Sequence, residues 1–188
     1  MNTVLGNIVL ETIKDRRSVR KYQNQQIKDE ELKMIIEAGI YAPTAKNDQP
    51  WHFTVIQNQK LIEHMNEEAK KSMQTSDVSW MREMGKNEKL NIFFHSPTVI
   101  VVSGRKTAIS PLVDCCAAIQ NMLLAAESMD IGTCWIGLAK FFFTNPKNIE
   151  KLNIPEGYQP YYAVSIGYKT SPNNKGPERN KNVVNYIK

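Results

Sequence analysis

Apolar residues recur at three- and four-residue intervals in several parts of the chain, a spacing typical of helices with one buried face. It predicts a first helix around Val4, Ile8 and Ile13, a second from Asp29 to a stop at Pro43, and a third over 60–71. The second helix opens with three acidic residues, which complement the positive end of its dipole.

The segment 111–130 predicts the clearest helix, with Pro111 near its start and Gly132 just past its end. Small or apolar residues cover nearly all of its faces. Such a helix has to be buried on all sides. In a chain of 188 residues, this indicates a central helix that is shared with a partner subunit.

Alternating or β-branched stretches predict strands at 52–57, 98–103, 133–138 and 160–168. Thr144 is expected to cap a short helix with Pro146 near its first turn. The pattern of the polar segment 72–91 does not decide its secondary structure, and helices that cover a site are one interpretation. Helices and strands mix without a regular βαβ alternation and without a second domain boundary, so the predicted class is α+β rather than doubly wound.

A chain of 188 residues that is 41% hydrophobic suits one domain with a real core. No run of about 18 apolar residues occurs, which excludes a membrane-spanning helix, and the N-terminus makes a poor signal peptide. Cys115, Cys116 and Cys134 have no metal-ligand spacing. We expect buried, reduced thiols in apolar surroundings with no cation beside them, in a cytoplasmic protein without disulfides or metal.

The net charge of +5 is concentrated at two places. Residues 11–21 carry +3 and residues 169–188 carry +4, which leaves the rest of the chain at −2. A protein that binds duplex nucleic acid usually spreads its basic residues over a face, so that many phosphates are neutralised. Two short basic clusters favour one small anion instead, and we expect no nucleic-acid partner.

Four segments carry candidate binding chemistry. In RRSVRKY at 16–22, alternate side chains of an extended chain share a face, which would group Arg16, Ser18 and Arg20 as donors to a phosphate or a similar anion. The polar loop 42–51 offers amides that can read the edge of a heterocycle. Gly132 and Gly137 flank a predicted strand and permit close approach of a flat ligand. The fourth segment is a basic tail around 179–181. Taken singly, each also suits an ordinary turn, connection or cap.

Together the segments resemble the FMN-dependent nitroreductase family. The matching stretches, in family order, are RRSVRKY at 16–22, APTAKNDQPWHF at 42–53, CCAAIQNMLLAAESMDIGTCWIG at 115–137, and SIGYK followed by PERNK within 165–181. The resemblance implies a three-layer α+β fold with a central mixed or antiparallel sheet flanked by helices. It also implies an intertwined homodimer with two FMN molecules at the interface. The single domain would span 1–188, with 169–188 as a C-terminal extension that packs on the partner subunit.

The resemblance also implies roles for individual residues. The FMN phosphate and ribityl chain would be held by Arg16, Ser18 and Arg179, with Lys181 as the alternative to Arg179. Arg17 would contribute mainly main-chain contacts, and Arg20 would lie near N1 and O2 of the flavin. Residues reaching the flavin from the partner subunit would be Pro43, Thr44, Asn47 and Gln49. Those lining the ring would be Trp135, Ile136 and Gly137, with a contact from Asn91 in the 86–91 stretch left open. Asp48 stands where the family usually has a neutral residue, and would weaken the attraction for anionic substrates.

The sequence contains no Ser-His-Asp set, metal-ligand motif or paired carboxylates, and its three histidines are isolated. This suits a protein whose cofactor carries the chemistry, with no catalytic side chain, and in which Arg20 tunes the flavin. The expected activity is hydride transfer from NADH or NADPH through flavin N5 to a small electron-poor acceptor, such as a nitroaromatic or a quinone, in a ping-pong cycle. The open alternatives are a reductive dehalogenase or flavin-fragmenting enzyme of the same fold, and a flavin-binding storage or sensor protein without turnover.

Overall fold

The computed structural model describes residues 7–173 and 175–188. Its centre is a four-stranded sheet in the order β1-β2-β4-β3. The strands are β1 (Trp51–Ile56), β2 (Thr98–Arg105), β3 (Ile131–Ile136) and β4 (Tyr158–Tyr168). Every neighbouring pair in this sheet is antiparallel. The strands β1 and β3 are therefore its two edges.

In the described part of the chain, six α-helices accompany the sheet: α1 (Ile8–Asp15), α2 (Asp29–Ile40), α3 (Gln59–Met73), α4 (Ser79–Lys86), α5 (Pro111–Ser128) and α6 (Pro146–Glu150). Two 3₁₀ helices lie at Ala45–Asn47 and Gly137–Thr144. Among the described residues, no helix has both the length and the apolar character needed to cross a membrane.

The alternation of side chains along the strands divides the core into two halves. Val99 and Val101 of β2 pack with α3 on one side of the sheet. Ile100 and Val102 pack with α2 and α5 on the other. The result is a helix–sheet–helix arrangement, which confirms the predicted α+β class with an antiparallel sheet between helical layers.

Several local predictions are corrected. The cap of α6 is Asn145, whose side chain accepts a hydrogen bond from Lys147 N at 3.1 Å, whereas the Thr144 hydroxyl donates to the Phe141 carbonyl. The open segment 72–91 contains α4. The first helix begins at Ile8, and Val4 lies outside the described residues. The predicted strands and the remaining helices lie within two residues of their observed ends.

Helix α5 is buried only in part within one chain. Seven of its residues, from Asp114 to Ala126, are buried, while Leu112 is 42% and Val113 67% exposed. The expectation that α5 is covered on all sides is therefore not met by a single copy. Its exposed N-terminal turn leaves apolar surface open to solvent.

Candidate functional site

A cavity of about 420 Å³ opens between segment 17–21 and the tail residues 170–173, 175 and 177. The cations in its described lining are Arg17, Arg20, Lys21 and Lys175. Hydroxyl groups come from Ser18, Thr170 and Ser171, and no described lining residue is acidic. Several positive donors beside hydroxyls, without a competing carboxylate, suit an anion with several oxygen acceptors, such as a phosphate.

Segment 16–22 is held against the edge of the sheet by its backbone. Ser18 forms a parallel bridge with Thr133, and Val19 N donates to the Thr133 carbonyl at 2.8 Å. Gly132 permits this approach, because a Cβ there would lie 2.7 Å from Cγ1 of Val19. The close approach that we expected for a flat ligand at Gly132 is thus occupied by the protein's own chain.

The thiol of Cys134 in β3 interacts with Arg16, Ser18 and Arg20. These residues alternate along the segment, which agrees with the prediction that they share a face. Burial raises the pKa of Cys134, while the charge of Arg20, a hydrogen bond with Ser18 and the charge of Arg16 oppose the rise. The expectation that no cation lies beside the cysteines is therefore wrong for Cys134. Cys116 also departs from the expectation, since it is only half-buried.

The side chain of Arg17 has a structural role as well as lining the cavity. Its Nη1 atom donates to the carbonyls of Lys14 at 2.5 Å and Arg16 at 2.8 Å. A Cβ at Gly176 would clash with Nη2 of Arg17. The guanidinium therefore packs directly under the tail, and Gly176 leaves the room for it.

Arg20 lies over an aromatic ring at the other end of the segment. Its Cζ atom is 5.6 Å from the centroid of Phe94, a cation–π distance. The turn around Phe94 is held by Asn91, whose Oδ1 accepts from Phe93 N at 3.0 Å and His95 N at 3.3 Å. Asn91 is buried, so its side chain shapes this turn.

A buried ion pair fixes the tail wall of the cavity. The side chains of Lys169 and Glu127 are 5% and 10% exposed, and Lys169 Nζ lies 2.9 Å from Glu127 Oε1. The same oxygen accepts from Asn173 Nδ2 at 2.7 Å, and this amide also donates to the Asp15 carbonyl. The network joins β4, α5, α1 and the tail. Sequence reasoning missed it, although an acid near the end of an otherwise apolar helix was a signal.

The predicted phosphate ligand Arg179 lies farther along the tail. Arg179 and Lys181 are exposed, and the described cavity lining extends only to Pro177. Lys175, which the sequence analysis did not single out, is the basic residue that the tail contributes to this lining.

The three residues expected to line a ring lie at the end of β3. Trp135 stacks edge-on against Tyr162, with 5.2 Å between ring centroids. Ile136 is 3% exposed and belongs to the α3-side core, so a ligand can meet only its main chain. Gly137 is exposed, and a Cβ there would have no atom within 4 Å. The main chain at Gly137 is therefore open.

Comparison with known proteins identifies the group to which this arrangement belongs. The model of the nitroreductase family matches residues 13–168. The chain belongs to the nitroreductase family. A nitroreductase of Bacteroides fragilis, solved with bound FMN, is 36% identical with a TM-score of 0.89, covering 97% of this chain and all of that one (100%). A second, from Desulfitobacterium hafniense and also solved with FMN, is 29% identical with a TM-score of 0.86, covering 98% and 100%.

A relative in Archaeoglobus fulgidus, provisionally named an NADH dehydrogenase/NAD(P)H nitroreductase, is 32% identical over 163 residues. The match covers 85% of this chain and 84% of that protein. The family match begins within α1 and ends with β4. It therefore includes segment 16–22, the polar loop and β3, but not the tail from Lys169 onward.

The polar loop lies at the opposite edge of the sheet from the cavity. It leads into β1, whereas segment 16–22 runs beside β3. Three intervals of about 4.8 Å place those edge strands roughly 14 Å apart. Within one chain, the loop residues therefore do not reach segment 16–22. This applies to all the loop residues predicted to contact the flavin: Pro43, Thr44, Asn47 and Gln49.

The loop has a defined shape. Lys46, Asn47 and Gln49 adopt left-handed backbone conformations, with φ of 50°, 55° and 44°. Gln49 Nε2 donates to Asn47 Oδ1 at 2.8 Å. Asp48 forms an ion pair with Arg105, whose hydrogen bond and charge hold the pKa of that carboxyl below its usual range. Arg105 therefore offsets the charge of Asp48 within the chain, and the expected effect of Asp48 on anionic substrates stays a prediction.

The Thr44 side chain is committed to the protein. Its hydroxyl donates to Asp114 Oδ2 at 2.6 Å and accepts from Gln49 N at 3.1 Å. Asp114 was not a candidate in the sequence, although a single acid in the first turn of an apolar helix was a usable signal. In the described part of the chain, no three His, Cys, Asp or Glu side chains are grouped as metal ligands.

Proposed function

We propose that this nitroreductase-family protein is an FMN-dependent oxidoreductase. It takes hydride from NADH or NADPH and passes it to a small electron-poor acceptor, such as a nitroaromatic or a quinone, in a ping-pong cycle. The observation that carries the proposal is the cavity at segment 17–21, whose described lining holds four cations and no acid. A flavin mononucleotide brings the kind of anion that such a lining suits, and two family members have been solved with FMN.

The chain's own residues would hold the cofactor in two parts. Arg16, Ser18 and Arg179 are proposed to hold the phosphate and ribityl chain, joined by the cavity residues Lys21 and Lys175. Arg17 would support this side through its main chain and by holding the tail. FMN, when bound, supplies the hydride chemistry. Arg20 would place its positive charge beside the pyrimidine edge, and the open main chain at Gly137, with Trp135 and Ile136, would border the ring.

The proposed active form is a homodimer. The loop with Pro43, Thr44, Asn47 and Gln49 and the cavity lie at opposite edges of one sheet, so a second copy is the simplest way to join them. Apolar side chains are exposed on α1, α5 and the tail, including Ile8, Val113 and Ile187 at 69%, 67% and 94%. Monomers rarely expose large apolar patches. We propose that these surfaces, with the extension 169–188, pack on the partner.

The test uses the visible spectrum of the purified protein under anaerobic conditions. A yellow protein whose flavin absorbance is bleached by NADH or NADPH, and recovers on adding a quinone, has the proposed activity. Comparing the two nucleotides gives the donor preference, and a nitroaromatic in the second step tests the acceptor class. A flavin that stays oxidised with both donors would favour the storage or sensor alternative. A colourless protein that binds no added FMN would refute the proposal.

A further inference from the structure

Asp114 is a buried carboxylate at the start of α5. It is 5% exposed, and within the described residues it takes part in no ion pair. Its Oδ2 atom accepts the Thr44 hydroxyl at 2.6 Å and, more weakly, Ala45 N at 3.4 Å. Both of these donors belong to the polar loop. The charge is thus satisfied by the loop and by the positive end of the α5 dipole.

The direction of these hydrogen bonds follows from the chemistry of the groups. An ionised carboxylate can only accept hydrogen bonds, so the Thr44 hydroxyl donates its hydrogen bond to Asp114. The hydroxyl oxygen then accepts from Gln49 N at 3.1 Å. One hydroxyl therefore closes the loop from Thr44 to Gln49, and the left-handed residues lie inside that closure.

The closure also decides what the loop can offer to a ligand. The Thr44 hydroxyl already donates to Asp114 and has no second hydrogen to offer a ligand. Pro43, Asn47 and Gln49, by contrast, are exposed. A buried carboxylate without its donors is costly, because burial removes the water that would otherwise satisfy it. Loop conformations that break these hydrogen bonds are therefore unfavourable, and the loop keeps the shape in which Asn47 and Gln49 are exposed.

We propose that Asp114 is a positioning residue, which acts through Thr44 to set the shape of loop 43–49 for the flavin site of the other subunit. This inference rests on the proposed function, since it needs a flavin site and a dimer. It adds a buried acid, placed by α5, on which the neighbouring site depends. Asp114 itself touches neither flavin nor substrate.

The first measurement compares flavin affinities of apoprotein variants. Asp114→Ala and Thr44→Val are expected to weaken FMN binding about tenfold or more, since hydrogen bonds to charged groups are among the stronger ones. The affinity of both variants for riboflavin should fall by the same factor, because the loop lies far from the cavity proposed to hold the phosphate. Thr44→Ser keeps the hydroxyl that Asp114 and Gln49 N use, and should bind FMN clearly more tightly than Thr44→Val does. Thr107→Val, at an exposed position after β2, is the matched control and should change nothing.

The second measurement asks which subunit is affected. Two differently tagged chains are co-expressed, one with Asp114→Ala and the other with Lys21→Ala and Lys175→Ala, and the mixed dimer is isolated. If the loop serves the partner's site, one site combines an intact cavity with an intact loop and the other combines two defects. FMN titration should then give one site per dimer of wild-type affinity and one weak site.

The outcomes separate the inference from the proposed function. Two weakened sites and none of wild-type affinity in the mixed dimer would mean that Asp114 acts within its own chain, since each site would then carry one of the two defects. Wild-type affinity in both Asp114→Ala and Thr44→Val would remove its positioning role. Either result overturns the inference while flavin binding by the wild type stands. If Asp114→Ala fails to fold, Thr44→Val takes its place in the mixed dimer. A wild type that binds no flavin would refute the proposed function itself.

Discussion

The thiol of Cys134 lies beside Arg16 and Arg20, a setting that would favour a thiolate if the site were open to water. Burial dominates, and the pKa of Cys134 is raised. Burial also raises the pKa of Cys115 to about 12 and that of Cys116 above its usual value. All three thiols are therefore protonated at neutral pH.

We therefore predict that the cysteines are dispensable for turnover. Separate Cys115→Ala, Cys116→Ala and Cys134→Ala variants should oxidise NAD(P)H at close to the wild-type rate while flavin stays bound. The assay is steady-state NAD(P)H oxidation, with the flavin content measured from absorbance. A variant that keeps its flavin and loses turnover would show that a thiol takes part in the chemistry.

Gly132 is the residue at which the sheet edge admits segment 16–22. A Cβ there would lie 2.7 Å and 2.9 Å from two side-chain atoms of Val19 and 3.1 Å from Lys169 Cγ. Overpacking of this kind costs about 1–3 kcal/mol, so Gly132→Ala should lower the free energy of unfolding by that amount in a denaturant titration. Gly137→Ala is the control, since its Cβ would meet no atom within 4 Å. Equal stability of the two variants would contradict this packing argument.

At the scale of elements, the ion pair of Lys169 with Glu127 joins β4 to the end of α5, and Asn173 extends it to the tail. Glu127→Ala should destabilise the protein by about 3 kcal/mol, the lower end of the range for breaking a buried pair. The lower end applies because Asp130 Oδ1 remains 3.0 Å from the ammonium. Chemical denaturation measures the loss.

The matched control for that pair is Glu83, whose pairing with Lys86 is well exposed. Glu83→Ala should cost less than about 1 kcal/mol, because water screens surface pairs. Glu127→Ala should also loosen the tail, which limited proteolysis can follow. A Glu127→Ala variant as stable as Glu83→Ala would mean that the pair contributes little to holding the cavity wall.

At the scale of the whole molecule, basic residues from opposite ends of the chain meet at one cavity. We predict a preference for FMN over riboflavin of at least about a hundredfold, because two charge-assisted hydrogen bonds contribute about 1.5–3 kcal/mol each. Arg179→Ala and Lys175→Ala should erode this preference and leave riboflavin affinity nearly unchanged. Paired flavin titrations give the comparison, and an equal loss for both ligands would mean that the residue supports the fold rather than the phosphate.

The dimer gives a second prediction at this scale. Val113 is 67% exposed at the start of α5, on surface that we assign to the partner. Val113→Glu should shift the protein toward monomers and release flavin, since each site is proposed to need both copies. Light scattering with simultaneous flavin absorbance measures both effects. A flavin-loaded wild type with the mass of one chain would contradict the dimer directly.

The sequence by itself determined most of the elements and the alternation of side chains along segment 16–22. Helical spacing, β-branched runs, the acidic first turn of α2 and the proline at the start of α5 are local properties, so most bounds follow from neighbouring residues. The grouping of Arg16, Ser18 and Arg20 is equally local, because alternation is set by extended backbone. Polar segments without a clear hydrophobic period, such as 72–91, lack that local signal, and their secondary structure does not follow from the sequence.

Only the tertiary structure decided how these pieces meet. The strand order puts the polar loop and the cavity at opposite edges of the sheet, although the sequence displays both as motifs of equal standing. Thr44 and Asp114 are 70 positions apart, and Glu127 and Asn173 are 46 apart. The role of Gly132 likewise depends on which segment packs against it, here Val19 of segment 16–22. Such contacts arise from the packing of elements, and the spacing of residues within one element carries no information about which distant side chain will be its neighbour.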